Sequence, residues 1–376
     1  MLVFVSNFLN HHQTGLCAEL LKLTGGEFTF IATEPIPKER TNMGYRDMNG
    51  EYPFVFKAYE SEAARERSLE LCKNADIAII GSASDDYIKL REKDKITFKY
   101  SERPYKNTGF LKSFLSEARH HYRFINKKIY LLCASAYTAY DHAKFGMYKG
   151  KTYKWGYFPE AFSYDIDKLL NDKESGDEIS LLWAGRIIDW KHAEVAVRLA
   201  VKLHNNGIKC RLKIIGTGNC EEEIRALINR ESAGDYICLA GPMPPEGVRE
   251  EMKKAKLYFI TSDKNEGWGA VLNEAMNSGC CCFANAAVGA APFLINDGEN
   301  GFVYTDEGEL YKKVLSVVGD KEKLNAVGKA AYLTISGNWT AAIAAKRLLD
   351  LSAALAQGKD TPFDCGPCSK AEVIKG

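Results

Sequence analysis

Residues 257–284 constrain the fold more than any other stretch of the chain. Leu257-Tyr258-Phe259-Ile260-Thr261 is an apolar, β-rich run of strand length, and Cys280-Cys281-Cys282-Phe283-Ala284 is a second. Between them a loop punctuated by Gly267 and Gly269 runs into the helical pattern Ala270-Val271-Leu272-Asn273-Glu274-Ala275-Met276. Strand, loop, helix and strand in this order are the repeating unit of a parallel α/β sheet. In such sheets ligands bind outside the carboxyl ends of the strands, and a helix that starts there presents free N–H groups and a positive dipole end. The spacing places Glu266 in the loop and Glu274 about two turns into the helix. Read alone, the pair fits a general acid and base, or equally a solvated loop acid and a helix-surface charge.

The same alternation continues in both directions. Met1-Leu2-Val3-Phe4-Val5 is a first buried strand, too short for the apolar core of a signal peptide. Further strands are expected at residues 28–32, 76–84, 96–100 and 129–135, then at 179–185, 212–215 and 236–239. Helices are expected at about 192–205, 221–229, 245–254, 307–318, 321–334 and 340–357. No segment approaches the ~20 apolar residues of a membrane span. The expected division is an N-terminal Rossmann-like domain over 1–160 and a second over 161–340. A helix over 341–358 and a flexible tail over 359–376 follow. Two doubly wound domains of similar size imply a cleft between them that takes a ligand.

A formal net charge of +1 argues against a general nucleic-acid binder. Between Lys89 and Lys128, however, twelve Lys/Arg stand against four acids, interleaved with Phe98, Tyr100, Tyr105, Phe110, Phe114, Tyr122 and Phe124. That composition suits a membrane surface, an exposed strand of nucleic acid, or a solvated helix face with its rings in the core. The eleven cysteines sit mostly in apolar runs, such as Ile237-Cys238-Leu239, and read as reduced core residues of a cytoplasmic protein. Cys365-Gly366-Pro367-Cys368 lacks the second pair or the histidines of a zinc site.

Three loops of the second domain share the carboxyl edge of its sheet. Gly185-Arg186 through Lys191 offers two cations, Arg186 as a fork and Lys191 as a point charge. Gly216-Thr217-Gly218 begins like a dinucleotide fingerprint but has Glu221 where the third glycine belongs. The third loop carries Glu266 and Glu274. Cations neutralise phosphate and carboxylates accept from sugar hydroxyls, so the set suits a nucleoside diphosphate with a polyol at each end.

Gly185-Arg186 through Lys191, followed by Glu266, seven residues and Glu274, resembles the signature of the retaining, nucleotide-sugar-dependent glycosyltransferases of the GT-B fold. That family, the glycosyl transferases group 1, is of family 4 type. The resemblance covers about residues 180–344, including Asn296-Asp297-Gly298-Glu299-Asn300-Gly301. It is looser in the N-terminal half, where Ala134-Ser135-Ala136-Tyr137 is similar. It implies that Arg186 and Lys191 bind the diphosphate and stabilise the leaving nucleotide, with Gly185 and Gly216 beside it. Glu266 accepts from the donor sugar, Gly267, Trp268 and Gly269 offer backbone N–H groups, and Glu274 holds the ribose. No cofactor and no metal are implied, because the two cations take the place of Mg²⁺. A UDP-sugar is favoured over a GDP-sugar, the acceptor is a glycan or lipid-linked, and no nucleic acid takes part. The setting is bacterial surface-polysaccharide assembly in the cytoplasm or at the inner face of the membrane. Two departures stand out. Asn10-His11-His12-Gln13 replaces a glycine-rich first loop, and Ser101-Glu102-Arg103 stands where many members carry a histidine. His11, His12 and Glu102 are therefore expected on the acceptor side, with Glu102 or His12 facing the acceptor hydroxyl; the histidines lack a third ligand for a metal. The alternatives are a nucleotide-sugar epimerase of the same fold and a non-catalytic sugar-nucleotide-binding subunit.

Overall fold

A computed structural model describes residues 1–38, 46–104, 115, 127–173 and 178–375. Within them the chain forms two compact units. One comprises Met1–Glu160 with Trp339–Gly376, the other Ala161–Asn338.

The first unit is built on a parallel sheet of β1 (Leu2–Ser6), β2 (Phe28–Ala32), β3 (Val55–Lys57), β4 (Ile77–Ile80), β5 (Ile96–Ser101), β6 (Ile129–Cys133) and β7 (Thr152–Lys154). Their order is β3-β2-β1-β4-β5-β6-β7. Leu2, Val3, Phe4 and Val5 are all at most 1% exposed, as expected where helices cover both faces of a parallel sheet. The chain winds outward from β1 to β3 and then restarts at β4 on the other side. The carboxyl ends of β1 and β4 thus form the switch point at which such sheets bind ligands.

The second unit carries β8 (Ile179–Ala184), β9 (Cys210–Ile215), β10 (Ile237–Gly241), β11 (Leu257–Ile260), β12 (Cys281–Asn285) and β13 (Phe302–Tyr304). Their order is β10-β9-β8-β11-β12-β13, again parallel. Its core joins Leu181, Trp183, Leu212, Ile214, Leu257, Phe259 and Phe283 to the inner faces of the flanking helices. The switch point here lies between β8 and β11, where the Arg186 and Glu266 loops emerge.

Three strands escape the sequence pattern: β3, β7 and β13 are three residues long, too short for a period to register. The Ala341–Ala356 helix packs on the His11–Leu23 helix, where a Cβ on Gly15 would stand 3.4 Å from Ala341 Cβ. The tail expected to be flexible is instead stitched to β7. Cys368 N–H donates to Lys154 O at 2.8 Å, Lys154 N–H to Ser369 O at 2.7 Å and Ala371 N–H to Thr152 O at 3.0 Å. The physical reason is the open edge of β7, whose backbone groups need partners. Within the Cys365/Cys368 pair, Cys368 is buried and Cys365 exposed.

Two further expectations change. Cys238, expected in the core, is exposed, because β10 is an edge strand with one open face. Of the basic and aromatic stretch, Phe98 is fully buried and Tyr100 is 9% exposed, so both are core residues rather than surface anchors. Tyr105, Phe110, Phe114, Tyr122 and Phe124 lie outside the described residues. Among the described residues no helix is long and apolar enough to cross a membrane.

Candidate functional site

After β8 the chain runs through Gly185, Arg186 and Ile187 into a short 3-10 turn, Asp189–Lys191. This loop is clamped by the loop after β9. Gly185 N–H donates to Ile215 O at 3.0 Å, Ile187 N–H to Thr217 O at 2.9 Å and Cys220 N–H to Ile187 O at 3.0 Å. The two glycines of Gly216-Thr217-Gly218 exist for this contact. Gly216 has φ +136°, and a Cβ there would lie 1.8 Å from Gly185 O; one on Gly218 would lie 2.1 Å from Ile187 O. Gly216, expected against the nucleotide, thus has a demonstrable task in seating the cation loop.

The clamp leaves Arg186 exposed with its guanidinium carbon 5.8 Å from the centre of the Trp190 ring; Lys191 Nζ stands 4.7 Å from that centre. Lys191 is held from the backbone side. Thr261 Oγ1, at the end of β11, donates to Lys191 O at 2.6 Å and accepts from Trp183 Nε1 at 2.9 Å. Asp263 N–H adds a bond to Trp190 O at 3.0 Å. The β8 and β11 loops are therefore one rigid piece.

That piece brings Lys191 and Glu266 into a direct ion pair, with Ser262 Oγ donating to the same carboxylate oxygen at 2.9 Å. Their side chains are 14% and 11% exposed. Sequence reasoning assigned Lys191 to the diphosphate and Glu266 to the donor sugar; the tertiary structure makes them partners. Ser262, itself buried, was missed, and its only signal was its place two residues beyond a strand end.

Gly269 has φ +90° and caps the Ala270–Asn277 helix; a Cβ there would meet Ile260 Cδ1 at 2.9 Å and Val288 Cγ1 at 3.1 Å. The preceding Trp268 is buried, and its Nε1 donates to Asn273 Oδ1 at 2.9 Å. Its indole thus locks the loop onto the helix and keeps Gly267 and Gly269 in place. Glu274 is the fifth residue of the helix, little more than one turn in rather than two, because Gly269 delays the helix start. Burial pushes its carboxyl up to about 7, against the opposing influence of Arg249. Tyr258 lies close enough for the charge on Glu274 to add to the burial that raises its phenol, whose OH donates to Ala184 O at 3.1 Å.

The Asn296-to-Gly301 motif has an internal role. Asn300 Oδ1 accepts from Asn296 N–H at 2.7 Å, and Asn300 Nδ2 donates to Leu294 O at 2.9 Å and Thr334 Oγ1 at 2.8 Å. It shapes the turn into β13.

In the first unit His11 opens the His11–Leu23 helix and His12 follows it, their ring centres 3.7 Å apart. Glu102 directly follows β5 and accepts from Tyr157 Oη at 2.6 Å. Tyr157 in turn stands 5.8 Å from the His12 ring centre, so the three residues expected on the acceptor side are gathered by a fourth. Outside β1 to β4 is a cavity of about 650 Å³ whose walls include Asn7, Glu34, Tyr59, Arg65 and Ser82 and none of His11, His12, Glu102 and Tyr157. Among the described residues, no three His, Cys, Asp or Glu side chains gather as metal ligands would.

Comparison with known proteins falls mainly on the second unit. Residues 165–334 match the family model for glycosyl transferases group 1. The GtfA subunit of the UDP-N-acetylglucosamine–peptide N-acetylglucosaminyltransferase of Streptococcus pneumoniae is 26% identical over 138 residues, 37% of this chain and 27% of that protein. Its counterpart in Streptococcus gordonii is 28% identical over 138 residues, again 37% of this chain and 26% of that one. The aligned part thus spans only about a quarter of these relatives. The crystal structure of Anabaena HepE in complex with UDP and glucose superimposes with a TM-score of 0.66 at 13% identity, covering 94% of this chain and 99% of that one. At that identity the likeness concerns the fold, which is the two-sheet GT-B arrangement. Residues 165–334, nearly the whole of the six-stranded unit with its clamped cation loop and its paired acids, are thus similar to the glycosyl transferases group 1 family.

Proposed function

We propose that the protein transfers a sugar from a nucleoside-diphosphate donor to a glycan or lipid-linked acceptor, with retention at the anomeric carbon. The observation that carries this reading is the single rigid edge on which Arg186, Lys191, Glu266 and the start of the Ala270–Asn277 helix converge. Two cations beside a helix N-terminus suit a diphosphate, whose charge rises as the glycosidic bond breaks. Arg186 and Lys191 take up that charge, so neither a metal nor a cofactor is called for. Lys191 then exchanges part of its bond to Glu266 for a phosphate oxygen, and Glu266, still held by Ser262, accepts from the donor sugar. Glu274 accepts from the ribose hydroxyls when ionised.

UDP is favoured as the carrier. The pairing of UDP with sugar in the names of the streptococcal relatives and of the HepE complex supports that choice. The first unit, with His11, His12 and Glu102 at its carboxyl edge, takes the acceptor. Bacterial surface-polysaccharide assembly is the fitting context.

The test is a panel of nucleotide sugars followed by thermal denaturation and donor turnover. A donor at a hundred times its Kd raises stability by about 2.7 kcal/mol, a readily measured rise in Tm. Indifference to every nucleotide and nucleotide sugar would reject the reading. Donor consumed to an isomeric nucleotide sugar, with no acceptor product, would point to epimerisation.

A further inference from the structure

Arg249 stands in the Pro245–Lys254 helix, outside every motif of the chain, and among the described residues it is the one charge that acts on Glu274. Its guanidinium carbon lies 3.8 Å from the centre of the Phe162 ring, well within cation–π range. Phe162 is itself tied to the helix that carries Glu274. Its N–H donates to Asn277 Oδ1 at 2.8 Å, and Asn277 Nδ2 donates back to Phe162 O at 3.1 Å. Asn277 is buried and follows Glu274 by three residues, so the two share a helix face. Aromatic seat, guanidinium and carboxylate are thus fixed to one another within the second unit. The other charges of the Arg249 helix are engaged elsewhere: Lys253 bonds both oxygens of Glu250 at 2.9 and 3.0 Å, and Glu251 pairs with Lys213 and Lys254. Tyr258 on β11 and the Cys280 and Cys282 thiols near it are neutral, since burial raises all three. In the Lys321–Asn338 helix, also packed on the Glu274 helix, Lys329 pairs with Asp167; Lys321, Glu322 and Lys323 lie in its first turn, and none of these acts on Glu274. Among the described residues, neither the Arg249 guanidinium nor the Glu274 carboxylate has a hydrogen-bond or ion-pair partner of its own. Charged groups withdrawn from water and left without partners are costly, which marks them for a ligand.

We propose that Arg249 is a positioning residue for the nucleotide's ribose: seated on Phe162, it holds Glu274 in the carboxylate form that accepts from the ribose hydroxyls. The inference rests on the donor-binding reading above. Burial by itself favours the protonated acid, which carries an O–H of its own and is a poorer acceptor for a sugar hydroxyl. A nearby cation in a poorly hydrated site restores the acceptor, and Arg249 opposes the burial of Glu274 in that sense. The ring explains why the cation does not close onto the acid. A guanidinium whose face rests on an aromatic ring needs no carboxylate to hold it. Its charge therefore acts on Glu274 while both carboxylate oxygens stay open to the ribose. Lys191 and Glu266, in direct contact, are the opposite arrangement on the same edge.

The experiment measures the Kd of UDP and of 2′-deoxy-UDP by calorimetry from pH 5.5 to pH 9 in the full chain. The ratio of the two constants reports the ribose hydroxyl and cancels the titration of the phosphates that both probes share. In the parent the ratio should climb from near one to about tenfold, with its midpoint near the Glu274 value of about 7. Arg249→Gln should move that midpoint up by about one pH unit, so that the ratio falls severalfold at pH 7 and recovers at pH 9. Phe162→Leu, which removes the seat, should shift it in the same direction, and Arg249→Lys, which keeps the charge, should restore the parent curve. Glu274→Gln should give a flat ratio, and adding Arg249→Gln to it should change nothing further. Recovery at high pH is the signature that a merely structural role lacks. A parent-like titration in Arg249→Gln or Phe162→Leu would overturn the proposal, as would a loss of equal size at every pH. Should the parent bind neither probe at any pH, the donor reading falls and this proposal with it; UDP binding with a ratio indifferent to pH sinks the proposal alone.

Discussion

The carboxyl edges of the two sheets each present an acid, and the two acids are held in opposite ways. In the six-stranded unit Glu266 is paired with the Lys191 cation and bonded by Ser262. In the seven-stranded unit Glu102 is bonded by the neutral phenol of Tyr157. A carboxylate matched by an ammonium has its charge balanced and is suited to orienting hydroxyls. One held by a phenol is oriented through one oxygen by a neutral donor. The same side-chain type thus acquires different chemistry from its partner, and no local sequence pattern distinguishes the two.

The largest expected effect comes from removing the cation that separates these cases. Lys191→Ala leaves Glu266 as a mostly buried acid without its partner and strips the leaving group of one charge. Donor turnover should fall by more than about a hundredfold, and stability by about 2 to 3 kcal/mol. Lys191→Ala combined with Glu266→Gln should recover most of that stability but none of the turnover, as measured by denaturant unfolding and product assay. Turnover close to the parent in the single variant would erase the contrast between the two edges.

Next in size is Gly216→Ala. Its methyl group would meet Gly185 O at 1.8 Å, so the cation loop must move. A loss of about 3 kcal/mol, some 6 to 12 °C in Tm, should accompany weakened donor binding. The acceptor edge should be untouched, and its intrinsic tyrosine and tryptophan signals on acceptor addition should persist.

A smaller effect tests the protonation of Glu274. Its folded carboxyl, raised to about 7 from an ordinary 4.5, keeps its proton where the unfolded chain has lost it. The folded state therefore binds more protons between those values, and stability falls as pH rises from about 4.5 to about 7, then levels off. Nucleotide binding should run the other way. If the ribose needs the carboxylate, affinity should rise severalfold from pH 6 to pH 8. Glu274→Gln should flatten both slopes, and titration calorimetry across that range would detect a failure to do so.

The smallest effect is expected from Ser262→Ala. Glu266 keeps its Lys191 partner and loses only a hydroxyl, so donor KM should rise about two- to fivefold with the fold intact. A loss as large as that of Lys191→Ala would place the organising role of this edge on Ser262 instead.

Much of the fold was legible because parallel strands buried on both faces are continuous apolar runs. Phe28 to Ala32 and Leu257 to Ile260 announce themselves by composition alone. The three-residue strands do not, because β3, β7 and β13 lack the length for a pattern to register. The tail failed for a related reason. Its Gly, Asp and Pro content describes its own conformational preferences, whereas its place is set by the unpaired edge of β7. At the site, Arg186 and Glu266 were readable because each stands beside a glycine after an apolar run, and Lys191 and Glu274 through a spacing that resembles the family signature. Thr261, Ser262 and Tyr157 were not, since a threonine, a serine or a tyrosine near a strand end is commonplace.

The chain's sequence by itself determined the two parallel α/β units, the loops that carry the charges and the helix that begins behind Gly269. These follow from local periodicity and from glycines whose backbone angles other residues resist. Only the tertiary structure decided who meets whom: Lys191 with Glu266 across 75 positions, and Tyr157 with Glu102 across 55. Such contacts depend on strand order and on the register of neighbouring loops. Those are set by how whole helices and sheets pack, and no window along the chain records them.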